Sequence, residues 1–173
     1  MKNILQEIVS AEVQRRYKFE KNFYADVLGV TQPTWNRWKK GDRGLSEDKM
    51  KKAQALFTPY EWMLANKVAS DMQMYPANFA QEPFEMYVNV KRSIAESWAE
   101  KAEISVNSAH NVDDPKSGRT SPGTEVKVSM KYGNGLINSD DCLIFYTDQS
   151  SSGIKAGKQN RLKWFSENID SLK

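Results

Sequence analysis

A chain of 173 residues with 39% hydrophobic and 27% charged residues can bury a sizeable interior, and it is too apolar for a disordered polymer. No apolar run approaches the length of a membrane span, and one cysteine (Cys142) with one histidine (His110) excludes an internal disulfide and a Cys/His zinc site. The net charge of +3 is uneven: residues 1–57 hold 12 Lys/Arg against 7 Asp/Glu, and the remainder 13 against 15, so the positive end is N-terminal.

Residues 1–17 carry Lys, Glu and Arg in an amphipathic pattern where a secretory leader would be apolar, so the chain is expected to stay in the cytosol. Ile4, Leu5, Ile8, Val9, Val13 and Tyr17 recur at three- and four-residue steps, which predicts a first helix with Glu7, Glu12, Gln14 and Arg15 around its apolar stripe. Residues 20–28 form a second helix with Phe23, Ala25, Val27 and Leu28. Gly29 stands where a tight turn needs positive φ, and Thr31 caps a third helix with Pro33 in its first turn. That helix runs through Trp35 and Trp38 to Gly41. Ser46 caps a fourth, with Met50, Ala53, Leu56 and Phe57 inside. Thr58-Pro59-Tyr60-Glu61 is a capping box with proline at the first helical position, opening a fifth helix to about Met72. The domain boundary is expected there, giving domains 1–73 and 74–173.

Beyond the prolines at 76 and 83, Phe84, Tyr87, Val88, Lys91, Ile94, Ala95 and Trp98 share one face of a long helix. The period then changes to two: Ile104, Val106 and Ala109 mark one strand, Val126, Val128, Met130 and Tyr132 a second, and Leu143–Thr147 a third. Gly133-Asn134-Gly135 suits a hairpin turn, and residues 110–124 form a polar loop. Residues 157–171 close the chain as a helix with Leu162, Phe165 and Ile169 inside and Trp164 beside them. The expected class is α+β: an N-terminal all-α helix-turn-helix domain, then a small antiparallel sheet with flanking helices.

The segment FYADVLGVTQPTWNRWKKG, from Phe23 to Gly41, resembles the helix-turn-helix of phage repressors through Ala25, Gly29, Val30, Thr31, Thr34, Arg37 and Trp38. A small residue is needed at Ala25 where two helices cross, and Val30 buries between them. The resemblance implies that Gln32, Asn36 and Arg37 face the major groove, beside Pro33, while Lys39, Lys40 and Arg43 meet phosphates of duplex DNA. The alternative is a compact packing unit whose cations form a solvated face.

A second resemblance runs nearly end to end. YKFEKNFY at Tyr17–Tyr24, Trp35, Lys40-Gly41, Leu56-Phe57, PFEMY at Pro83–Tyr87, Trp98, Glu125-Val126 and the closing AGKQNRLKWFSENIDSLK, with Gly157, Gln159, Asn160, Arg161, Leu162, Trp164 and Asn168, are similar to a phage-encoded type II-A anti-CRISPR family. Members of that family begin with a helix-turn-helix domain and inhibit the RNA-guided CRISPR nuclease. The resemblance implies a homodimer in the host bacterial cytoplasm that binds the guide-loaded nuclease and blocks target DNA binding and cleavage without an enzymatic step. A dimeric repressor binding operator DNA is the alternative, and one protein can be both. Gln159, Asn160 and Arg161 form a polar cluster that either braces the start of a helix or reaches a partner. Trp35, Trp62, Trp98 and Trp164 are either interface anchors or core.

Catalysis finds little to work with. Asp113-Asp114 and Asp140-Asp141 sit in turn-like sequence, His110 borders a polar loop without a triad around it, and Cys142 suits a core site. No glycine-rich phosphate loop with its lysine is present. Neither a cofactor nor a metal is expected.

Overall fold

The computed structural model describes residues 3–17, 19–78, 80–109, 123–132 and 139–173. Helix α1 (Ile4–Arg16) is followed by a π-helical segment (Asn22–Val27), α2 (Gln32–Lys40), α3 (Glu47–Gln54), α4 (Pro59–Met74), a short 3-10 turn (Pro76–Asn78) and α5 (Pro83–Trp98). Strands β1 (Glu103–Ala109), β2 (Gly123–Tyr132) and β3 (Ser139–Thr147) come next, then α6 (Lys158–Asn168) and a last 3-10 turn (Ile169–Ser171). The fold is α+β, helices first and a three-stranded antiparallel sheet after them. The described residues divide into two units that alternate along the chain: 3–57 with 62–87, and 58–61 with 88–109 and 123–173.

In the first unit, α1 turns Ile4, Ile8, Val9 and Val13 inward, as the spacing predicts. Glu12, expected on the polar surround, is instead only 2% exposed, and its carboxylate is bound by Arg15 and by Arg16 Nε at 2.6 Å. Burial of a carboxylate is tolerable only with such partners, and the two guanidinium groups follow it within one turn.

The expected α-helix over 20–28 winds wider than that. Over Asn22–Val27 it is π-helical, and the Leu28 N–H donates to the Phe23 carbonyl five residues back at 3.0 Å. The widening coincides with the bulk of Trp35, whose rings lie 5.7 Å from Phe23 and 6.4 Å from Tyr24. Gly29 then takes φ +66°, Thr31 Oγ1 accepts the Thr34 N–H at 3.5 Å, and α2 ends on Gly41 at φ +74°. Trp35 and Trp38 stack at 4.8 Å and are fully enclosed with Phe23, Leu28 and Val30. Ser46 stands at the N-cap of α3, although its side chain makes no capping hydrogen bond. Ala53, Leu56 and Phe57, Leu64, Ala65, Val68, Ala69 and Met72 of α4, and Tyr87 are also buried in this unit.

In the second unit the strands run in order β1-β2-β3, with Val106 opposite Val126 and Val126 opposite Phe145, and with Ile104 opposite Val128 and Val128 opposite Leu143. Period-two alternation sends these residues to one face, where Ala95, Ala99, Phe165, Ile169 and Leu172 meet them. β3 begins at Ser139, four residues before the expected start, so Asp140 and Asp141 belong to a strand and not to a turn. The ladder rests on backbone groups, and the register fixed by Leu143 and Phe145 carries on to place Asp141 opposite Met130 and Asp140 opposite Lys131. Gly123 and Thr124, expected as the end of the polar loop, open β2. The rest of that loop, with His110, Asp113 and Asp114, and the Gly133-Asn134-Gly135 turn lie outside the described residues.

Candidate nucleic-acid and partner interfaces

The first candidate surface is built on α2. Its apolar side is spent on Trp35 and Trp38, so residues about half a turn round from them face outward. Gln32, Pro33, Asn36, Arg37 and Lys40 are exposed on the helix, and Arg43 is exposed just past the Gly41 cap. Amide and guanidinium groups on one helix face are what base-edge recognition in a major groove requires. Asp42 is an exposed acid among these cations.

Lys39 is the exception among the six residues expected to face nucleic acid. Its Nζ lies 2.8 Å from Glu20 Oε2 and 5.8 Å from the centre of the Trp35 ring. Glu20 also accepts Ser10 Oγ at 3.1 Å, Gln14 Nε2 at 3.1 Å and Trp35 Nε1 at 3.2 Å. Burial would push this carboxyl up, but the hydrogen bonds from Lys39, Gln14 and Trp35, with the Lys39 charge, outweigh it and hold Glu20 below the usual carboxylate range. One carboxylate thus ties α1 to two side chains of α2, and that attachment sets which way the exposed face points. Sequence reasoning did not find Glu20, because its partners lie 6, 10, 15 and 19 residues away, with no local pattern to mark them.

The second candidate surface is the start of α6. Gln159 and Asn160 are exposed, and Asn160 Nδ2 donates to the Ala156 carbonyl at 3.1 Å. The N-cap residue is Gly157 at φ +126°, and no side chain caps the helix. Arg161 is half-buried, and its Nε is enclosed without a hydrogen-bond partner. Asn160 therefore braces the turn, whereas Gln159 and Arg161 do not cap it.

Trp35 is core. Trp62 packs on Phe57 at 5.5 Å, Trp98 on Tyr60 at 5.0 Å, and Trp164 against the sheet-side core, each of the three half-buried.

A buried ion pair underlies β3. Lys91 and Glu61, 2% and 1% exposed, lie 2.8 Å apart. Glu61 Oε1 accepts the Ile144 N–H at 2.7 Å and Oε2 the Thr58 N–H at 2.9 Å, while Thr58 Oγ1 accepts the Glu61 N–H at 3.1 Å, which is the expected capping box. Lys91 donates to the Ile144 carbonyl and sits 4.6 Å from the centre of the Phe145 ring. Its place in the apolar stripe of α5 was the available signal, since a lysine there needs a buried acceptor.

Among the described residues, no three His, Cys, Asp or Glu side chains gather where a metal ion would fit, and no helix is long and apolar enough to cross a membrane. Cys142 is buried beside Ser129, and burial pushes its thiol up. Compared with protein-family models and with curated proteins, the chain matches none of them.

Proposed function

We propose that this chain is an anti-CRISPR protein, a homodimer that binds the guide-loaded RNA-guided DNA nuclease of a type II system in the bacterial cytoplasm and blocks target binding and cleavage without chemistry. The reading is carried by the collinear resemblance from Tyr17–Tyr24 to Gly157–Asn168. The exposed Gln159 within its last segment supports it, since it is available to a partner. Met63, Met74 and Tyr75, large apolar side chains left more than half exposed, support the dimer, because such surface is favourably covered. Nuclease action depends on reading a short DNA motif and then changing conformation, so a bound protein opposes either step. Co-purification with guide-loaded nucleases, and cleavage of target DNA by a panel of type II enzymes, test the proposal. No capture and no inhibition across the panel would overturn it.

A second reading, a dimeric repressor of operator DNA, is favoured by the exposed α2 face with Gln32, Asn36, Arg37 and Lys40. Under it, Arg37→Ala relaxes base preference, and Lys40→Ala weakens all sequences alike and lowers the salt slope by about one. The two activities are compatible in one protein.

A further inference from the structure

We infer that the second unit carries a binding site for a ribose phosphate at the start of α6. A cavity of about 480 Å³ opens there, lined by Val106 and Asn107 of β1, by Ser151, Ile154, Lys155, Ala156 and Gly157 of the preceding segment, and by Arg161. The inference is independent of the inhibitor reading.

Three features select an anion. Lys155 and Arg161 bring two positive charges, and among the described residues no acid lines the cavity and neither cation has an acidic partner. The Nε of Arg161 is enclosed without a hydrogen-bond partner, which leaves one donor of this cavity-lining side chain unmet. The first N–H groups of α6 lack a side-chain cap, with Gly157 at φ +126° in the N-cap position and the Asn160 amide beside it.

Two more features select the rest of the ligand. The volume exceeds what a bare tetrahedral anion fills and falls in the range of small-molecule pockets. Asn107 and Ser151 supply hydrogen-bonding groups suited to hydroxyls, and among the described residues no aromatic ring lines the cavity to stack a base. A phosphate on Arg161, Lys155 and the helix start, with a sugar against Asn107 and Ser151, satisfies all of these. Such a group is carried either by a free sugar phosphate or by the backbone of single-stranded RNA.

Titration calorimetry on the full chain with ribose 5-phosphate, inorganic phosphate and a short single-stranded oligouridylate tests the site. Ribose 5-phosphate is expected to bind once per chain and more tightly than inorganic phosphate. Arg161→Met is expected to weaken it by about tenfold or more, the loss of one charged hydrogen bond. Lys155→Met, at an exposed position that leaves the fold intact, gives a second loss, whereas Arg37→Ala on α2 changes nothing. Oligouridylate binding that shares this Arg161 dependence identifies a nucleic-acid source, and its failure beside bound ribose 5-phosphate identifies a free metabolite. Absence of binding by both sugar-bearing probes, equal affinity for inorganic phosphate, or binding indifferent to both substitutions would overturn the inference.

Discussion

Removing either member of the Glu61–Lys91 pair should destabilise the protein, and by unequal amounts. In Lys91→Met the remaining carboxylate keeps two backbone donors, Thr58 N–H at 2.9 Å and Ile144 N–H at 2.7 Å. The cost is then at the low end for breaking a buried pair, about 3 kcal/mol. In Glu61→Leu the ammonium loses its carboxylate partner, the Ile144 N–H loses its acceptor and the capping box disappears. Those losses place the cost at about 5 kcal/mol. The double variant has no buried charge at this site and retains only the unmet N–H and the lost cap, so about 2–3 kcal/mol is expected, and it should be more stable than Glu61→Leu alone. Urea unfolding followed by circular dichroism and by tryptophan fluorescence, at constant dependence on urea, measures all three. Additive single costs, or a Lys91→Met variant weaker than Glu61→Leu, would refute the assignment of charge to this pair.

Glu20 is held ionised in the folded chain, so its contribution is complete above the ordinary glutamate range and is lost as pH falls through the lowered value; Glu20→Gln should flatten acid unfolding in that window. Gly29 and Gly41 both have positive φ, but an added Cβ meets nothing at Gly29 and overlaps the Asn3 side chain at Gly41. Alanine at either position should cost about 1–2 kcal/mol from backbone strain, because the atoms met at 41 are the far end of the flexible Asn3 side chain and can turn aside; a melting point unchanged at either position would refute this. Met63→Glu with Met74→Glu should shift the assembly to monomer in light scattering while leaving the helical signal unchanged, since both side chains are exposed.

Local rules made much of the fold legible. Thr31, Gly29 and Gly41 mark the ends of α2 because capping and left-handed turns depend on neighbours in sequence. Val126, Val128, Leu143 and Phe145 declare their strand face by alternation. What escaped was set by distant partners. Glu12 looks like a solvated residue until Arg15 and Arg16 turn inward with it, and Asp140 and Asp141 look like a turn until β2 supplies the ladder. The outward face of α2 was readable because Trp35 and Trp38 fix the inward one. The engagement of Lys39 was not, since it depends on Glu20.

The alternation of the two units along the chain has a consequence for how such a protein can vary. Helix α4 gives its first turn to one unit and its remainder to the other, and α5 changes unit at Val88. A crossover after Phe57 joins α1–α3 to a foreign set of Leu64, Ala65, Val68 and Met72, and one after Glu61 pairs Lys91 with a foreign carboxylate. No single breakpoint trades one unit intact for another. Diversity is expected to enter by substitution at exposed positions such as Gln32, Asn36 and Gln159, with the two units inherited together.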